Sequence, residues 1–388
     1  MIKYTHVISV NLDYLYIWIN LYYMSKCRLP IDCVLAITYN CNARCVMCDI
    51  WRIQGFPELP VAEFAKLPPT LRDINISGGE PFLRRDLPEI VAVLAKACPK
   101  ARLVISTNGF LTDLVVKQMK KILKIKPDIG VAISIDGMNE MHDEMRGIPG
   151  GFDKDMETIK QLQALGMTNL RLGFTITEKN IKHLRMVYDL SRELGAQFTH
   201  SFAQSSEFYF GGKKNTDFQG LGDESLTEGM ALATEDTNRV VSPLREFLRE
   251  EYSYIIKSEL RGWNLKRWAR AYFAFGMYKF ITSHNPVVSN APARDFFFLD
   301  PNGIIYPSVV HNFRMGDIKQ IPNTNDQIPN ATFEQFWCSQ ETEAVREKVD
   351  DSKVPVWMIC TARTAIKKRP FQVLAWIIKN KFFGFKLV

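Results

Sequence analysis

The sequence lacks several features that would place it in a simple class. Its eight cysteines are too few for a disulfide scaffold in a chain of 388 residues. No run of about 20 uninterrupted apolar residues is present, which disfavours a membrane-spanning helix, and no secretory signal stands at the start. The net charge of +7 is too small over this length to indicate nucleic acid. With 46% apolar and 23% charged residues, the composition is that of a globular protein rather than a disordered one.

Both ends of the chain are amphipathic. Val7–Met24 is apolar and aromatic but is interrupted by polar residues, and Phe371–Val388 combines aromatic residues with Lys379, Lys381 and Lys386. We interpret each end first as a helix docked on the fold. Basic residues among aromatic ones also suit an anionic bilayer surface, so contact with a membrane remains the alternative.

Short β-branched runs alternate with segments whose apolar residues have helical spacing. The runs are Val34–Thr38, Ile74–Ser77, Leu103–Thr107, Val131–Asp136, Leu170–Thr177 and Phe198–Ala203. The helical segments between them are Asp86–Ala97, Leu111–Lys124, Asp153–Leu165 and Lys182–Leu194. This alternation predicts an α/β fold with a parallel sheet. Six strands are two short of a closed barrel, so we predict a partial (β/α)6 TIM-like barrel.

The later part of the chain has a different texture. Helices are predicted over Phe247–Leu260 and Trp263–Phe280, followed by a β-hairpin of Phe296–Leu299 and Ile304–Tyr306 and a helix over residues 332–349. We therefore divide the chain into five parts: an N-terminal amphipathic segment (1–31), the barrel (32–208), an aromatic-rich helical connection (209–292), a small α+β domain (293–370) and a basic tail (371–388).

Three cysteines follow the first predicted strand at the spacing Cys-x3-Cys-x2-Cys. Thiolates of Cys41, Cys45 and Cys48 can bind three irons of a cubane cluster and leave the fourth iron without a protein ligand. An open coordination position is what a chemically active metal site requires. The carboxyl end of a strand is also where active sites of parallel α/β folds lie. A structural zinc site is the alternative, but no fourth Cys or His follows before Cys98.

This cysteine pattern resembles the signature of the radical S-adenosylmethionine enzymes. Met47 stands where that superfamily usually has an aromatic residue, and its side chain can still pack on adenine. Ser77-Gly78-Gly79-Glu80-Pro81 resembles the family's GGEP motif, whose glycines let the backbone approach the methionine part of the cofactor. The resemblance gives Glu80 a charge-assisted hydrogen bond to that cofactor. An ordinary turn before a helix is the alternative for an isolated motif of this kind.

The next strand ends also carry polar residues. Thr107 and Asn108 follow the third strand, and Ser134 and Asp136 end the fourth. The resemblance implies that these side chains bind the ribose and carboxylate of S-adenosylmethionine. Each alone is typical of a turn or a helix cap.

Four other residues lie in segments that the resemblance also covers. Arg171 on the fifth strand is predicted to reach the cofactor's carboxylate, with an outward-facing position as the alternative. We predict that His142, Asp143 and Arg146 lie in a solvated loop.

The resemblance also implies a reaction. In this family a reduced [4Fe-4S] cluster binds S-adenosylmethionine, an electron passes to the sulfonium, and a 5′-deoxyadenosyl radical takes hydrogen from a substrate. A flavodoxin- or ferredoxin-type electron donor is implied. The cytoplasm is the natural compartment for such thiols, with peripheral membrane contact left open. A non-catalytic relative that serves as a binding or scaffold protein is the alternative, but the intact cysteine triad favours an enzyme.

The last third of the chain resembles a SPASM or twitch domain that has lost cluster cysteines. The segment 299–308 matches the opening hairpin, but Ser308 stands where a cysteine is expected. Only Cys338 and Cys360 remain, and two thiolates cannot hold a four-iron cluster without other ligands. We therefore predict that the domain persists without an auxiliary cluster.

Two questions stay open at this point. Cys27, Cys33 and Cys98 are predicted to be buried apolar residues or free thiols. The aromatic and basic stretch Trp263–Phe280 either lines a substrate cavity or covers the mouth of the barrel. No motif selects among peptide, sugar, lipid and small-molecule substrates.

Overall fold

A computed structural model describes residues 27–215, 243–283, 286–288, 291–322, 332–385 and 387. The helix predicted at Val7–Met24 therefore lies outside the described residues. Among the helices that are described, none combines the length and the apolar character needed to cross a membrane.

The described strands form one sheet, and its parallel part is the predicted barrel. Its strands are β1 (Asp32–Thr38), β2 (Asp73–Gly78), β3 (Arg102–Thr107), β4 (Gly130–Ser134), β5 (Leu170–Ile176) and β6 (Gln197–Phe202). They pair in sequence order and in parallel, and β6 is an edge strand of the nine-stranded sheet. The predicted α/β fold with an open, partial barrel is therefore confirmed.

Strand β1 is buried along its whole length. Cys33, Leu35 and Ile37 join the core between the sheet and its helices, whereas Val34 and Ala36 belong to a second apolar cluster inside the barrel. Successive side chains of a strand point to opposite faces, and here both faces are covered. This explains why β1 reads as a continuous apolar run rather than an alternating one.

Five helices accompany the parallel strands. They are α1 (Leu87–Ala97), α2 (Thr112–Ile125), α3 (Glu140–Arg146), α4 (Gly151–Ala164) and α5 (Leu184–Glu193). Helix α3 corrects the predicted solvated loop, because His142 and Arg146 are buried in it. These polar side chains are tolerated inside the protein because acidic partners face them there.

The connecting region forms helices α6 (Pro243–Leu260) and α7 (Leu265–Ser283), close to the predicted bounds. The ring of His200 on β6 lies 5.5 Å from that of Tyr252 in α6 and 5.4 Å from that of Phe273 in α7, measured between centroids. Because His200 and Ser201 point to opposite faces of β6 and Ser201 lines the barrel cavity, these helices pack on the outer face. The stretch Trp263–Phe280 therefore does not line that cavity.

The C-terminal part extends the same sheet. Its strands are β7 (Phe296–Leu299), β8 (Ile304–Tyr306) and β9 (Gly316–Asp317), and its helices are α8 (Phe333–Trp337), α9 (Gln340–Ser352), α10 (Ile359–Lys368) and α11 (Pro370–Phe382). Strand β7 pairs in parallel with β1, so the hairpin continues the barrel sheet. The single helix predicted over residues 332–349 is two helices, because Ser339 caps the start of α9 through a bond from the Thr342 amide.

Ion pairs and a disulfide also connect this part to the rest of the chain. Arg363 of α10 forms ion pairs with Asp32 (2.7 Å) and Asp73 (3.3 Å) at the amino ends of β1 and β2. Cys27 forms a disulfide with Cys338, 311 residues away. The prediction that Cys27 is a free thiol or a buried apolar residue is therefore wrong, whereas Cys33 and Cys98 are free and buried.

Candidate active site

A cavity of about 320 Å³ lies at the carboxyl ends of the parallel strands. Nine of the site residues expected from the sequence line it: Cys41, Cys45, Met47, Cys48, Gly78, Gly79, Thr107, Asn108 and Ser134. Parallel strands bring their carboxyl ends to one edge of the sheet, which is why residues so far apart in sequence meet here.

The three cysteines of the triad lie in the loop after β1 and are free, half-buried thiols. The end of α3 holds this loop in place. The amide of Arg44 donates to the carbonyl oxygen of Arg146, and the amide of Val46 donates to that of Met145, each over 2.9 Å. The cysteine loop therefore depends on a helix that is a hundred residues further along the chain.

Polar groups lie near two of the sulfur atoms. Nη1 of Arg146 lies 3.5 Å from Sγ of Cys45, and Nδ2 of Asn108 lies 3.9 Å from Sγ of Cys41. Burial raises the pKa of the Cys41 and Cys48 thiols to about 12. Such thiols keep their protons at neutral pH unless a bound metal replaces them, since metal binding requires thiolates.

These residues fit an iron–sulfur cluster better than a single metal ion. Within the described ranges, no three His, Cys, Asp or Glu side chains converge closely enough to hold one ion. The thiolates of a cubane cluster bind different irons, so they need not meet at one point. Three free thiols around one cavity, with hydrogen-bond donors beside the sulfur atoms, match that requirement.

Gly78 and Gly79 hold the end of β2 against the end of β1. Gly78 has a φ of +126°, and a Cβ built on Gly79 would lie 2.2 Å from the carbonyl oxygen of Asn40. The Gly79 amide also donates to the Thr38 carbonyl oxygen over 2.8 Å. Glycine is therefore required here because two backbone segments approach each other closely. Both glycines also form part of the cavity wall.

Glu80 is buried and does not line the cavity. Its carboxylate accepts hydrogen bonds from the Thr107 hydroxyl (2.9 Å), the Asn108 amide (2.8 Å) and the Phe82 amide (3.1 Å). Burial raises the pKa of Glu80 to about 7. The structure therefore places Glu80 as a positioning residue that joins the ends of β2 and β3, not as a side chain facing the cavity.

Asp136 is also buried behind the cavity wall. Its Oδ2 lies 2.6 Å from Nη2 of Arg146, and its Oδ1 accepts a hydrogen bond from the Thr175 amide over 2.6 Å. Burial raises the pKa of Asp136, although the Arg146 guanidinium opposes the shift. His142 contacts the backbone beside this carboxylate, because its Nδ1 accepts a hydrogen bond from the Asp136 backbone amide over 3.1 Å. On the other side of the ring, Nε2 lies 3.1 Å from a carboxylate oxygen of Asp155.

The structure does not bring Arg171 to the cavity. Arg171 is the second residue of β5, at the amino-terminal end of the barrel, and it pairs with Gln197 at the start of β6. Burial and the nearby guanidinium groups of Arg363 and Arg102 lower its pKa to about 10. Its position at the amino end of β5 keeps this residue away from the cavity to which the sequence prediction assigned it.

The cavity is also lined by residues that the sequence did not assign to it, among them Arg146, Gln204, Tyr209 and Cys360. Gln204 follows the end of β6 by two residues, so the rule applied to the other strands would have found it. Its Oε1 is buried and has no hydrogen-bond partner in the described part of the chain. Tyr209 donates to the Gly78 carbonyl oxygen over 3.3 Å, and Cys360 reaches the cavity from the start of α10. Only tertiary packing brings these last two here.

Sequence comparisons relate part of the chain to one family. Residues 35–190 match the family model described as the Radical SAM superfamily. The chain is 35% identical over 176 residues to the Fe-coproporphyrin III synthase of Methanosarcina barkeri, covering 44% of this chain and 42% of that protein. It is 31% identical over 175 residues to the sporulation killing factor maturation protein SkfB of Bacillus subtilis, covering 43% and 41%. The chain thus matches less than half the length of these curated relatives.

Structural comparisons extend over more of the chain. Streptococcus suis SuiB bound to S-adenosylmethionine aligns with a TM-score of 0.55 and 15% identity, covering 88% of this chain and 75% of that one. The structure described as anSMEcpe with bound AdoMet and Cp18Cys peptide aligns with a TM-score of 0.54 and 14% identity, covering 90% and 99%. At this level of identity the likeness shows a shared fold.

Proposed function

Because residues 35–190 match the family model of the Radical SAM superfamily, we propose that the chain is an enzyme using one [4Fe-4S] cluster and S-adenosylmethionine. The observation that carries this proposal is that Cys41, Cys45 and Cys48 are free thiols around one cavity at the strand ends. If bound there, the two cofactors would supply the radical chemistry by which this family removes hydrogen from a substrate.

The protein's part is to hold and orient these groups. The three cysteines bind three irons. The side-chain amide of Asn108 donates towards Sγ of Cys41, and the Arg146 guanidinium donates towards Sγ of Cys45. Hydrogen bonds to the sulfur ligands influence the reduction potential of a cluster. Met47, Gly78, Gly79, Thr107, Asn108 and Ser134 form the wall that binds S-adenosylmethionine. Glu80 and Asp136 act from behind it by fixing the strand ends.

The cavity favours a substrate whose reacting part is uncharged. Arg146 is the one charged side chain among the described residues that line it, and Asp136 already pairs with its guanidinium. Asn75, Ser106, Thr175 and Ser201 offer neutral hydrogen-bonding groups instead. The described lining thus offers no cluster of cations for a triphosphate, which a GTP substrate such as that of the GTP 3′,8-cyclases would carry. It is compatible with a peptide segment, as in maturation of the sporulation killing factor by SkfB.

We also propose that the C-terminal part is a SPASM- or twitch-like domain without an auxiliary cluster. Its two cysteines lie apart: Cys338 is bonded to Cys27 beside a second cavity, and Cys360 faces the candidate active site. The two side chains therefore do not offer a shared cluster site. A flavodoxin- or ferredoxin-type protein is the proposed electron donor.

Anaerobic reconstitution with iron and sulfide tests the proposal. We expect about four irons per chain, and 5′-deoxyadenosine release from S-adenosylmethionine on reduction with dithionite. The triple variant of Cys41, Cys45 and Cys48 to Ala loses both. The control is Cys98→Ala, which removes another buried free cysteine outside the cavity.

Iron uptake that survives the triple substitution would overturn the cluster assignment. A chain that binds four irons but releases no 5′-deoxyadenosine under any reductant would favour the non-catalytic alternative. For the substrate, addition of GTP is expected to leave 5′-deoxyadenosine release at its background rate, whereas an uncharged peptide that fits the cavity raises it.

A further inference from the structure

Helix α11 has two apolar faces, and one of them is exposed. Val373 and Ile377 are buried against the rest of the protein. The exposed face carries Phe371, Leu374, Ile378 and Phe382, which are 85%, 44%, 44% and 56% exposed. Their spacing of three, four and four residues aligns them along one side of the helix. Phe383, 82% exposed, follows directly.

The turn between α6 and α7 adds to this face. Trp263 and Leu265 are 78% and 76% exposed, and the Trp263 ring centroid lies 5.9 Å from that of Phe382. Nζ of Lys381 donates to the carbonyl oxygens of Leu260 (2.6 Å) and Gly262 (2.8 Å), which ties the end of α11 to this turn. The α6–α7 turn and α11 therefore present one continuous region, called the aromatic surface below.

The charged side chains within the α6–α7 turn and α11 have one sign. Arg261 and Lys266 in the turn and Lys379 on α11 are exposed. Neither residues 261–266 nor Pro370–Phe382 contains an acidic residue, and the last acidic residue of the chain is Asp351. The surface thus combines large exposed aromatic side chains with exposed positive charges, and its two segments carry no acidic residue.

We propose that the aromatic surface binds the interface of an anionic lipid bilayer. Aromatic side chains partition to the depth of the headgroups, and lysine and arginine beside them are attracted to anionic lipids. Lysine is depleted in protein–protein interfaces, so Lys266 and Lys379 count against a protein partner. The surface lies on the interface without crossing it, since α11 has only 13 residues. This inference is independent of the cofactor chemistry.

Vesicle flotation of the full chain tests the proposal. We expect the protein to float with phosphatidylcholine vesicles containing phosphatidylserine, to float less with phosphatidylcholine alone, and to be released by salt. Replacing Arg261, Lys266 and Lys379 by Gln should weaken binding by ~100-fold, from about fivefold per charge. Replacing Trp263, Phe371, Phe382 and Phe383 by Ser should weaken it by at least ~10-fold.

Matched controls lie on other faces of the molecule. Met186→Ser in α5 removes an apolar side chain that is 49% exposed, and Lys120→Gln in α2 removes an exposed charge. Both should leave binding unchanged. If the fourfold aromatic variant fails to fold, Phe371→Ser alone suffices, because that side chain is 85% exposed.

A second measurement locates the contact. Brominated lipids should quench tryptophan emission, and the quenching should fall in Trp263→Phe. No flotation with either vesicle, or flotation that the surface variants leave unchanged, would overturn the proposal. So would self-association without lipid that the same substitutions abolish, because the surface would then be a contact between copies of the chain.

Discussion

Arg146 forms a buried ion pair with Asp136, with 2.6 Å between Nη2 and Oδ2. The two residues lie at the end of α3 and just after β4, and Nη1 of the same guanidinium lies 3.5 Å from Sγ of Cys45. The pair therefore connects the strand end to the cysteine loop. Removing one partner leaves the other charge buried and unpaired, which costs far more than losing an exposed pair.

Asp136→Asn is expected to lower the free energy of unfolding by ~3 kcal/mol and to reduce iron loading after reconstitution. Denaturant titration of the metal-free protein and an iron assay measure the two effects. Glu144→Gln is the control. Glu144 lies on α3, as Arg146 does, and its ion pair with Lys179 is exposed. That change should cost less than ~1 kcal/mol. Equal effects of the two substitutions would contradict the assigned role of the buried pair.

Gly79→Ala should displace the cysteine loop. Its Cβ would lie 2.2 Å from the Asn40 carbonyl oxygen, next to Cys41, and backbone atoms cannot move aside cheaply. We expect a loss of ~2 kcal/mol or more of stability together with reduced iron loading. Gly173→Ala in β5 is the matched control, because neither glycine has a positive φ and the nearest atom to its Cβ is 3.7 Å away. A fully loaded Gly79→Ala variant would show that the two segments separate without cost.

His200 should make the fold sensitive to acid. Both ring nitrogens are buried without hydrogen-bond partners among the described residues, and burial lowers the pKa to about 3. The unfolded chain binds a proton near pH 6.5 and the folded chain does not, so the contribution of this residue to stability is present above pH 6.5 and is lost as the pH falls. At pH 5 the loss is about 2 kcal/mol relative to pH 7.5.

His200→Phe removes this titration and keeps the stacked contact with the Phe198 ring, whose centroid is 5.2 Å away. Urea unfolding measures the free energy of unfolding of both proteins at pH 7.5 and pH 5. The difference between variant and wild type should be about 2 kcal/mol more favourable to the variant at pH 5 than at pH 7.5. Phe198→Leu serves as the control, with a stability change that is the same at both pH values. A gap between His200→Phe and wild type that does not widen at pH 5 would argue against a neutral buried histidine.

The strand ends were the most predictable part of the molecule. Nine of the twelve expected site residues line one cavity, because a parallel sheet gathers the carboxyl ends of its strands whatever the sequence distance between them. Arg171 failed for a related reason. Arg171 is the second residue both of the predicted strand Leu170–Thr177 and of β5, so it lies at the amino end, away from the edge where the cavity forms.

Burial of polar residues was the least predictable part. The sequence of α3 looks like a solvated segment, yet His142 and Arg146 are buried because Asp155 and Asp136 face them. Partners of this kind come from other elements, so periodicity within a segment does not reveal them. The same holds for Cys360, which reaches the cavity from α10, and for Cys27, whose partner is 311 residues away.

The Cys27–Cys338 disulfide predicts a redox-dependent stability. A bond between such distant residues restricts the unfolded chain strongly, and its loss is expected to cost 2–5 kcal/mol. Thiol titration of the denatured, unreduced protein should find six free cysteines, and reductant should lower the melting temperature. In the double variant of Cys27 and Cys338 to Ser, reductant should leave the melting temperature unchanged, while Cys33→Ser keeps the wild-type response because Cys33 is free. Eight titratable thiols in protein purified without reductant would show that the two sulfur atoms remain reduced.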